Sequence, residues 1–204
     1  MISSEDALQC LQEGNARFVS SNFSKGRGLD PSERIKLAKG QHPFAVVLGC
    51  SDSRVPPEIV FDQNPGDLFV VRVAGNVVSP VQTGSVEFAI EHFGAQLVVV
   101  LGHSGCGAIR ATLDEIRCPS ENLSQNLRAI IETVKPGLKD VAIRDLEKVS
   151  EEEFQQTVKK NIQLSICRLR EESAIVQQKV DEHCLQVVGA EYFLESGMVE
   201  WFLE

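Results

Sequence analysis

Three apolar runs, each bounded by turn residues, give the clearest pattern along the chain. They cover residues 44–49, 68–73 and 97–102, and almost every position in them is apolar, rather than every second one. Strands that are apolar on both faces are typical of a parallel sheet covered by helices on each side. The pattern therefore predicts a central sheet that is mostly parallel.

Helical patterns lie before, between and after these runs. Two of the predicted helices begin with a capping box, one at Asp30 and one at Ser150, because each of these residues is followed three positions later by Glu. The helix that begins after Ser150 is long and polar, and we expect a break near Ser173. The other helices are predicted over 5–19, 84–93 and 121–134, with a short one after Cys106.

A final pair of strands is predicted around the turn at 195–197, over 185–193 and 198–203. The order of elements indicates an α/β fold with three layers, in which helices flank a mostly parallel central β-sheet that ends in this C-terminal strand pair. A chain of 204 residues is the size of one domain. We expect a single domain over 1–204, divided into 1–40, 41–110, 111–184 and 185–204.

Composition and charge argue against several classes of protein. The net charge is −9, which argues against a nucleic-acid partner because such proteins need a basic face. No apolar run approaches the roughly 18–20 residues of a membrane span, and the first residues do not resemble a secretory signal, so we expect a cytoplasmic protein without a membrane partner. In that reducing setting the six cysteines are expected to be core residues, metal ligands or nucleophiles rather than disulfides.

The candidate chemistry follows two of the apolar runs. Cys50 comes directly after the first run, and His103 and Cys106 come after the third. In open parallel sheets, ligands bind at the carboxyl ends of the strands, so these three side chains meet if the two strands are neighbours. Two thiolates and an imidazole suit a tetrahedral, borderline-soft ion, with zinc favoured, and a fourth position left for water is typical of a catalytic site.

A simpler interpretation stays open for each residue taken singly. A cysteine after a buried strand is usually a core residue, and a histidine between glycines is usually a loop residue. The joint placement of three soft donors at equivalent strand ends favours the metal site.

Asp52 and Arg54 lie beside the first proposed ligand, at a spacing that allows carboxylate and guanidinium to pair. Such a pair would keep Asp52 ionised and directed at the open position of the metal. Two alternatives are a surface ion pair that only stabilises the turn, and Asp52 as a fourth metal ligand in a closed state.

The segments CSDSR at 50–54 and GHSGCG at 102–107, with PGDLFVVRVAGN at 65–76 between them, resemble the β-class carbonic anhydrases. The similarity is dense from about residue 40 to residue 110. It implies reversible hydration of carbon dioxide to bicarbonate, one zinc ion per chain on Cys50, His103 and Cys106, and an orienting role for Asp52 and Arg54.

The resemblance also implies further site residues and a partner. Gln41, Phe69, Ala74 and Phe88 stand at positions that line the substrate pocket in that family. A homodimer or higher homo-oligomer is implied, with N-terminal helices packed on the partner chain. Three other functions remain to be weighed: hydrolysis of carbonyl sulfide or carbon disulfide on the same site, a thiol redox protein using Cys50 and Cys106, and a non-catalytic scaffold.

Overall fold

The computed structural model describes residues 2–24, 30–138 and 149–202, and the structural statements below refer to these residues. A five-stranded sheet forms its centre, with the strand order β2-β1-β3-β4-β5. The strands are β1 Ala45–Gly49, β2 Leu68–Arg72, β3 Leu97–His103, β4 Gln186–Tyr192 and β5 Val199–Phe202. The first four are parallel and β5 is antiparallel to β4, which confirms the mostly parallel sheet and the C-terminal strand pair.

Eight α-helices connect and cover these strands in the described residues. They are α1 Ser4–Val19, α2 Pro31–Leu37, α3 Pro57–Val60, α4 Pro80–Phe93, α5 Gly107–Arg117, α6 Gln125–Leu138, α7 Glu151–Glu172 and α8 Ala174–Asp181. Both capping boxes are confirmed, and Ser173 ends α7 and caps α8 with its hydroxyl, as the sequence predicts. The one-turn helix α3 was not predicted, because four residues are too few to show a periodic pattern.

Helix α7 lies very close to one face of the sheet. A Cβ atom at Gly102 of β3 would come within 2.7 Å of Ile162, and one at Gly189 of β4 would come within 2.8 Å of the same side chain. Glycine is therefore required on both strands for α7 to pack at this distance. The opposite face of the sheet carries a second apolar cluster that includes Leu11 of α1, which completes the three layers.

The N-terminal helices differ in how far they pack on this chain. The apolar face of α1 packs on the chain's own sheet, and further packing of α1 on a partner stays a prediction. Asn15 fixes α1 there, because its amide donates to the carbonyls of Val60 and Gly197 and accepts from the N–H of Val199. Helix α2 buries none of its residues, and its packing on a partner stays a prediction.

A partly exposed group of rings, called the aromatic patch below, lies at the edge strand β2. It consists of Phe69, Phe88, His92 and Phe93, with the Phe88 ring stacked on His92 at a centroid distance of 4.1 Å and 6.2 Å from Phe69. Phe88 is 45% exposed, although it is a large apolar residue.

The four-part division of the chain stays a prediction, and residues 139–148, 203 and 204 of its last two parts lie outside the described residues. None of the described helices combines the length and apolarity needed to cross a membrane.

Candidate metal centre

The predicted metal ligands meet at the carboxyl edge of the sheet. Strands β1 and β3 are adjacent and parallel, with Gly49 paired to Leu101, so Cys50 follows β1 beside the end of β3. His103 is the last residue of β3, and Cys106 is the N-cap of α5. Their ligand atoms all lie within 4.8 Å of one another, and no other group of three His, Cys, Asp or Glu side chains in the described chain comes so close together.

The His103 ring is fixed in the orientation that a metal ligand needs. The side chain is fully buried, and Nδ1 lies 3.0 Å from the carbonyl oxygen of Ser104. Since a carbonyl only accepts, Nδ1 carries the proton, and the lone pair is left on Nε2. Nε2 has no hydrogen-bond partner in the described residues, which fits an atom whose partner is an ion.

The two cysteines influence each other's protonation. The Cys106 thiol, followed by His103 and the backbone N–H of Gly75, lowers the pKa of Cys50 well below its usual value despite its burial. The adjacent Cys50 sulfur and burial raise the pKa of Cys106. Two thiolates at this distance repel each other, and a divalent cation between them would relieve that repulsion. Two sulfurs and one imidazole nitrogen, buried and convergent, therefore fit zinc.

Asp52 and Arg54 form the predicted pair beside this centre. Arg54 Nε donates to Asp52 Oδ1 at 2.9 Å and Nη2 donates to Oδ2 at 2.7 Å. This contact holds the pKa of Asp52 well below its usual range, so the carboxylate is ionised at any working pH. Asp52 Oδ2 lies 3.8 Å from His103 Nε2, at the border of the ligand set.

The contacts that Arg72 makes at the end of β2 were not predicted from the sequence. Its Nε donates to the carbonyl of Cys50 at 2.8 Å and its Nη2 to the carbonyl of Asp52 at 2.6 Å. One guanidinium thus fixes the backbone on both sides of Ser51. The available signal was a charged residue inside an otherwise apolar run.

Within a single chain, only some of the predicted substrate residues lie near this centre. Ala74 is next to Gly75, whose N–H donates to Cys50 Sγ at 3.3 Å, so Ala74 lies at the site. Phe69 pairs with Val46 in the sheet. Val46 is four residues before Cys50, so Phe69 lies roughly 13 Å from Cys50 along the strand direction. Phe88 lies in the aromatic patch.

Gln41 lies at the opposite, amino edge of the sheet. It lines an open cavity of about 460 Å³ together with residues 37–40, Pro65 and Gly66. Phe44, just before β1, bonds through its N–H to the carbonyl of Asp67, just before β2, which places this segment at the start of both strands. The role of Gln41 toward substrate therefore stays a prediction, as do those of Phe69, Ala74 and Phe88.

A family model described as carbonic anhydrase matches residues 45–199. A solved β-carbonic anhydrase from Coccomyxa, in complex with acetazolamide, superposes with a TM-score of 0.74 at 26% identity, covering 97% of this chain and 86% of that one. The chain belongs to the β-carbonic anhydrase family. Crystal structures of tetrameric β-carbonic anhydrases from Sordaria macrospora also match, with a TM-score of 0.72 at 26% identity over 85% of this chain and 87% of that one.

Two curated members of the carbonic anhydrase family match over almost the whole chain. A carbonic anhydrase from Mycolicibacterium smegmatis is 39% identical over 198 residues, which are 95% of this chain and 91% of that protein. Carbonic anhydrase 2 from Mycobacterium tuberculosis is 37% identical over 94% of this chain and 89% of that protein. These matches confirm the resemblance that the motifs indicate, and they favour carbon dioxide over the sulfur substrates.

Proposed function

We propose that this chain catalyses the reversible hydration of carbon dioxide to bicarbonate and a proton, with one zinc ion held by Cys50, His103 and Cys106. The observation that carries the proposal is the convergence of these three donors within 4.8 Å, beside an ionised Asp52. The similarity to proteins named carbonic anhydrase over more than nine-tenths of the chain supports it.

Bound to these side chains, zinc supplies a Lewis acid that makes water easier to deprotonate. The chain supplies the orientation. Asp52 Oδ2, 3.8 Å from His103 Nε2, is placed to accept a hydrogen bond from the water that attacks carbon dioxide. Because it is ionised, this carboxylate can only accept, which turns a lone pair of the water toward the carbon.

Arg54 favours this role over direct coordination of metal by Asp52. Both carboxylate oxygens already accept a hydrogen bond from the guanidinium, and Oδ1 accepts a further one from the backbone N–H of Arg54. Asp52 would have to leave this bidentate pair to become a fourth ligand.

The decisive experiment compares zinc content and activity in the parent chain and in Cys50→Ser. We expect about one zinc per chain and carbon dioxide hydration in the parent, and loss of both in the variant, because serine replaces a thiolate by a poor zinc ligand. Cys118→Ser, at an exposed cysteine after α5, is the matched control and should keep both properties. A parent chain that hydrates carbon dioxide at full rate without metal would overturn the proposal.

We also propose that the working form is a homodimer or a larger homo-oligomer, in which the partner's Gln41, Phe69 and Phe88 line the pocket at each metal centre. The partly exposed aromatic patch and the position of β2 at the edge of the sheet in the described residues support an interface there, since a large exposed apolar group is unusual for a monomer. The match to tetrameric β-carbonic anhydrases is consistent with such an assembly.

The test of the assembly is sedimentation of the parent and of Phe88→Lys. We expect the variant to shift toward monomer and to hydrate carbon dioxide more slowly while it still binds zinc. Leu127→Lys is the control, because Leu127 is 54% exposed on α6, away from the patch. A parent chain that is monomeric and fully active would contradict the assembly without affecting the zinc centre.

A cytoplasmic location is proposed on the state of the cysteines. All six are free, and Cys10, Cys118, Cys167 and Cys184 are exposed. Exposed unpaired thiols are typical of a reducing compartment. Fractionation of the source cells tests this location.

A further inference from the structure

A tight turn after β2 contacts the first metal ligand. It is a single 3₁₀ turn, Ala74–Asn76, in which Gly75 has a φ of 72° and Asn76 a φ of 44°. The backbone N–H of Gly75 donates to Cys50 Sγ at 3.3 Å. A hydrogen bond to a ligand sulfur fixes its position and stabilises its charge, so the orientation of this turn matters to the metal centre.

Helix α7 holds the same turn from the other side. Asn161 Nδ2 donates to the carbonyl of Gly75 at 2.8 Å, and Ser165 Oγ donates to the carbonyl of Asn76 at 3.0 Å. The two residues are four apart on the helix, so they lie on one face and reach successive carbonyls of the turn. Both are buried, at 1% and 2% exposure.

The other buried residues of α7 are apolar except Thr157, whose hydroxyl bonds within the helix. Val158, Ile162, Ile166 and Leu169 on the same helix belong to the apolar cluster that covers the sheet. A buried amide is costly unless it is hydrogen-bonded, so an apolar residue at Asn161 would be the default for packing alone. What the amide adds is the contact with Gly75.

The turn needs such support because its backbone is unusual. Two successive residues have positive φ, and one of them is not glycine, a conformation that persists only when the surroundings hold it. A Cβ at Gly75 would lie 3.1 Å from the Ala108 Cβ of α5 and 3.4 Å from Val134 of α6, so the turn is also confined by these helices.

We infer that Asn161 is a positioning residue of the metal centre, which acts through Gly75 on the Cys50 sulfur, with Ser165 in a supporting role. The inference rests on the proposed zinc function. Gly75 is the link, since its N–H contacts the ligand and its carbonyl contacts the helix. Residues of this kind contact a metal ligand rather than the metal itself. Mutating one of them typically lowers metal affinity by about 10–100-fold.

The experiment measures zinc affinity of the metal-free protein by competition with a chelator, together with the sulfur-to-metal charge-transfer band of the cobalt(II) form. Asn161→Leu keeps the branched shape and removes the donor, and Ser165→Ala removes the second contact. Thr157→Val is the matched control. Thr157 is buried on the same helix, but its hydroxyl donates to the carbonyl of Phe154 within α7 at 2.5 Å rather than to a carbonyl of the turn. Urea unfolding of each metal-free variant gives its stability.

We expect Asn161→Leu to bind zinc about tenfold more weakly and to shift the cobalt band, Ser165→Ala to act in the same direction by less, and Thr157→Val to stay within about twofold of the parent. Equal zinc affinities in Asn161→Leu and the parent would overturn the inference. It would also be overturned if all three variants lost zinc affinity in proportion to their loss of unfolding free energy. If Asn161→Leu does not fold, the comparison of Ser165→Ala with Thr157→Val decides in the same way. A parent that binds no zinc overturns the proposed function itself, which is a separate outcome.

Discussion

Two carboxylates near His103 have pKa values that are shifted in opposite directions. Asp52 follows β1 at the rim of the metal centre, and its side chain is 17% exposed. Glu191 lies on β4, opposite Gly102 of β3, and is fully buried. The pKa of Asp52 is held well below its usual range, whereas burial raises the pKa of Glu191 to about 7.

The difference comes from the partners that each carboxylate has. Arg54 donates to both oxygens of Asp52, but neither oxygen of Glu191 has a hydrogen-bond partner in the described chain. The nearby Lys159 lowers the pKa of Glu191 only in part, since its ammonium bonds to Glu200 at 3.1 Å. A carboxylate with a fixed partner can accept a hydrogen bond at every pH, and a buried one without a partner is largely neutral in mild acid.

The largest effect is expected when the charge of the first carboxylate is removed. Asp52→Asn should lower kcat/KM for carbon dioxide hydration by about 100-fold, because an uncharged amide orients the attacking water less well. Zinc per chain should be unchanged, as measured by metal analysis beside stopped-flow kinetics. Asp114→Asn, which removes an exposed carboxylate 3.6 Å from Arg117, is the control and should be fully active. Full activity in Asp52→Asn would remove this carboxylate from the mechanism.

The second prediction removes the charge from the other carboxylate. Because the pKa of Glu191 in the folded chain is raised to about 7, the protonated form is favoured by the fold, and stability is lost as the pH rises from about 4.5 through 7. Glu191→Gln is neutral at every pH. Its free energy of unfolding should therefore exceed that of the parent by about 3 kcal/mol at pH 8 and by much less at pH 4.5. Urea unfolding at both pH values measures this, and an equal gain at both would show that ionisation is not the cause.

A smaller effect is expected when the partner of Asp52 is weakened but kept. Lysine cannot make the two parallel hydrogen bonds of a guanidinium, so Arg54→Lys should lower kcat by about tenfold. The pKa of Asp52 should rise, and the loss should therefore be greater at low pH than at high pH. A pH–rate profile tests this, and a loss that is uniform across pH would mean that Arg54 acts in some other way.

The metal centre could be predicted because its residues stand at the ends of apolar runs. The run before Cys50 and the run before His103 mark two buried parallel strands, and neighbouring strands of this kind end at one edge of the sheet. The first residues of α2 and α7 could be predicted for a similar reason, because each follows a capping box that is visible in the local sequence.

The supporting residues could not be predicted, because they act through backbone carbonyls of distant segments. Asn161 is 86 residues from Gly75, and Ser165 is 89 residues from Asn76. Nothing in the local pattern of a polar helix connects these residues to a turn after β2. Glu191 looks like an ordinary polar position in a strand until α7 is seen to cover it. The roles proposed for Gln41 and Phe88 rest on the proposed assembly with a second chain, which no single sequence contains.

The metal ligands come from two distant places in the chain, since Cys50 and His103 are 53 positions apart. An ion bound to all of them acts as a cross-link that closes a long loop, and so restricts the unfolded ensemble as a disulfide does. Because it binds only the folded form, it adds about 4 kcal/mol when free metal is at a thousand times its dissociation constant. Chelation should therefore lower the melting temperature as well as abolish turnover, so that thermal stability and catalysis depend on the same ion.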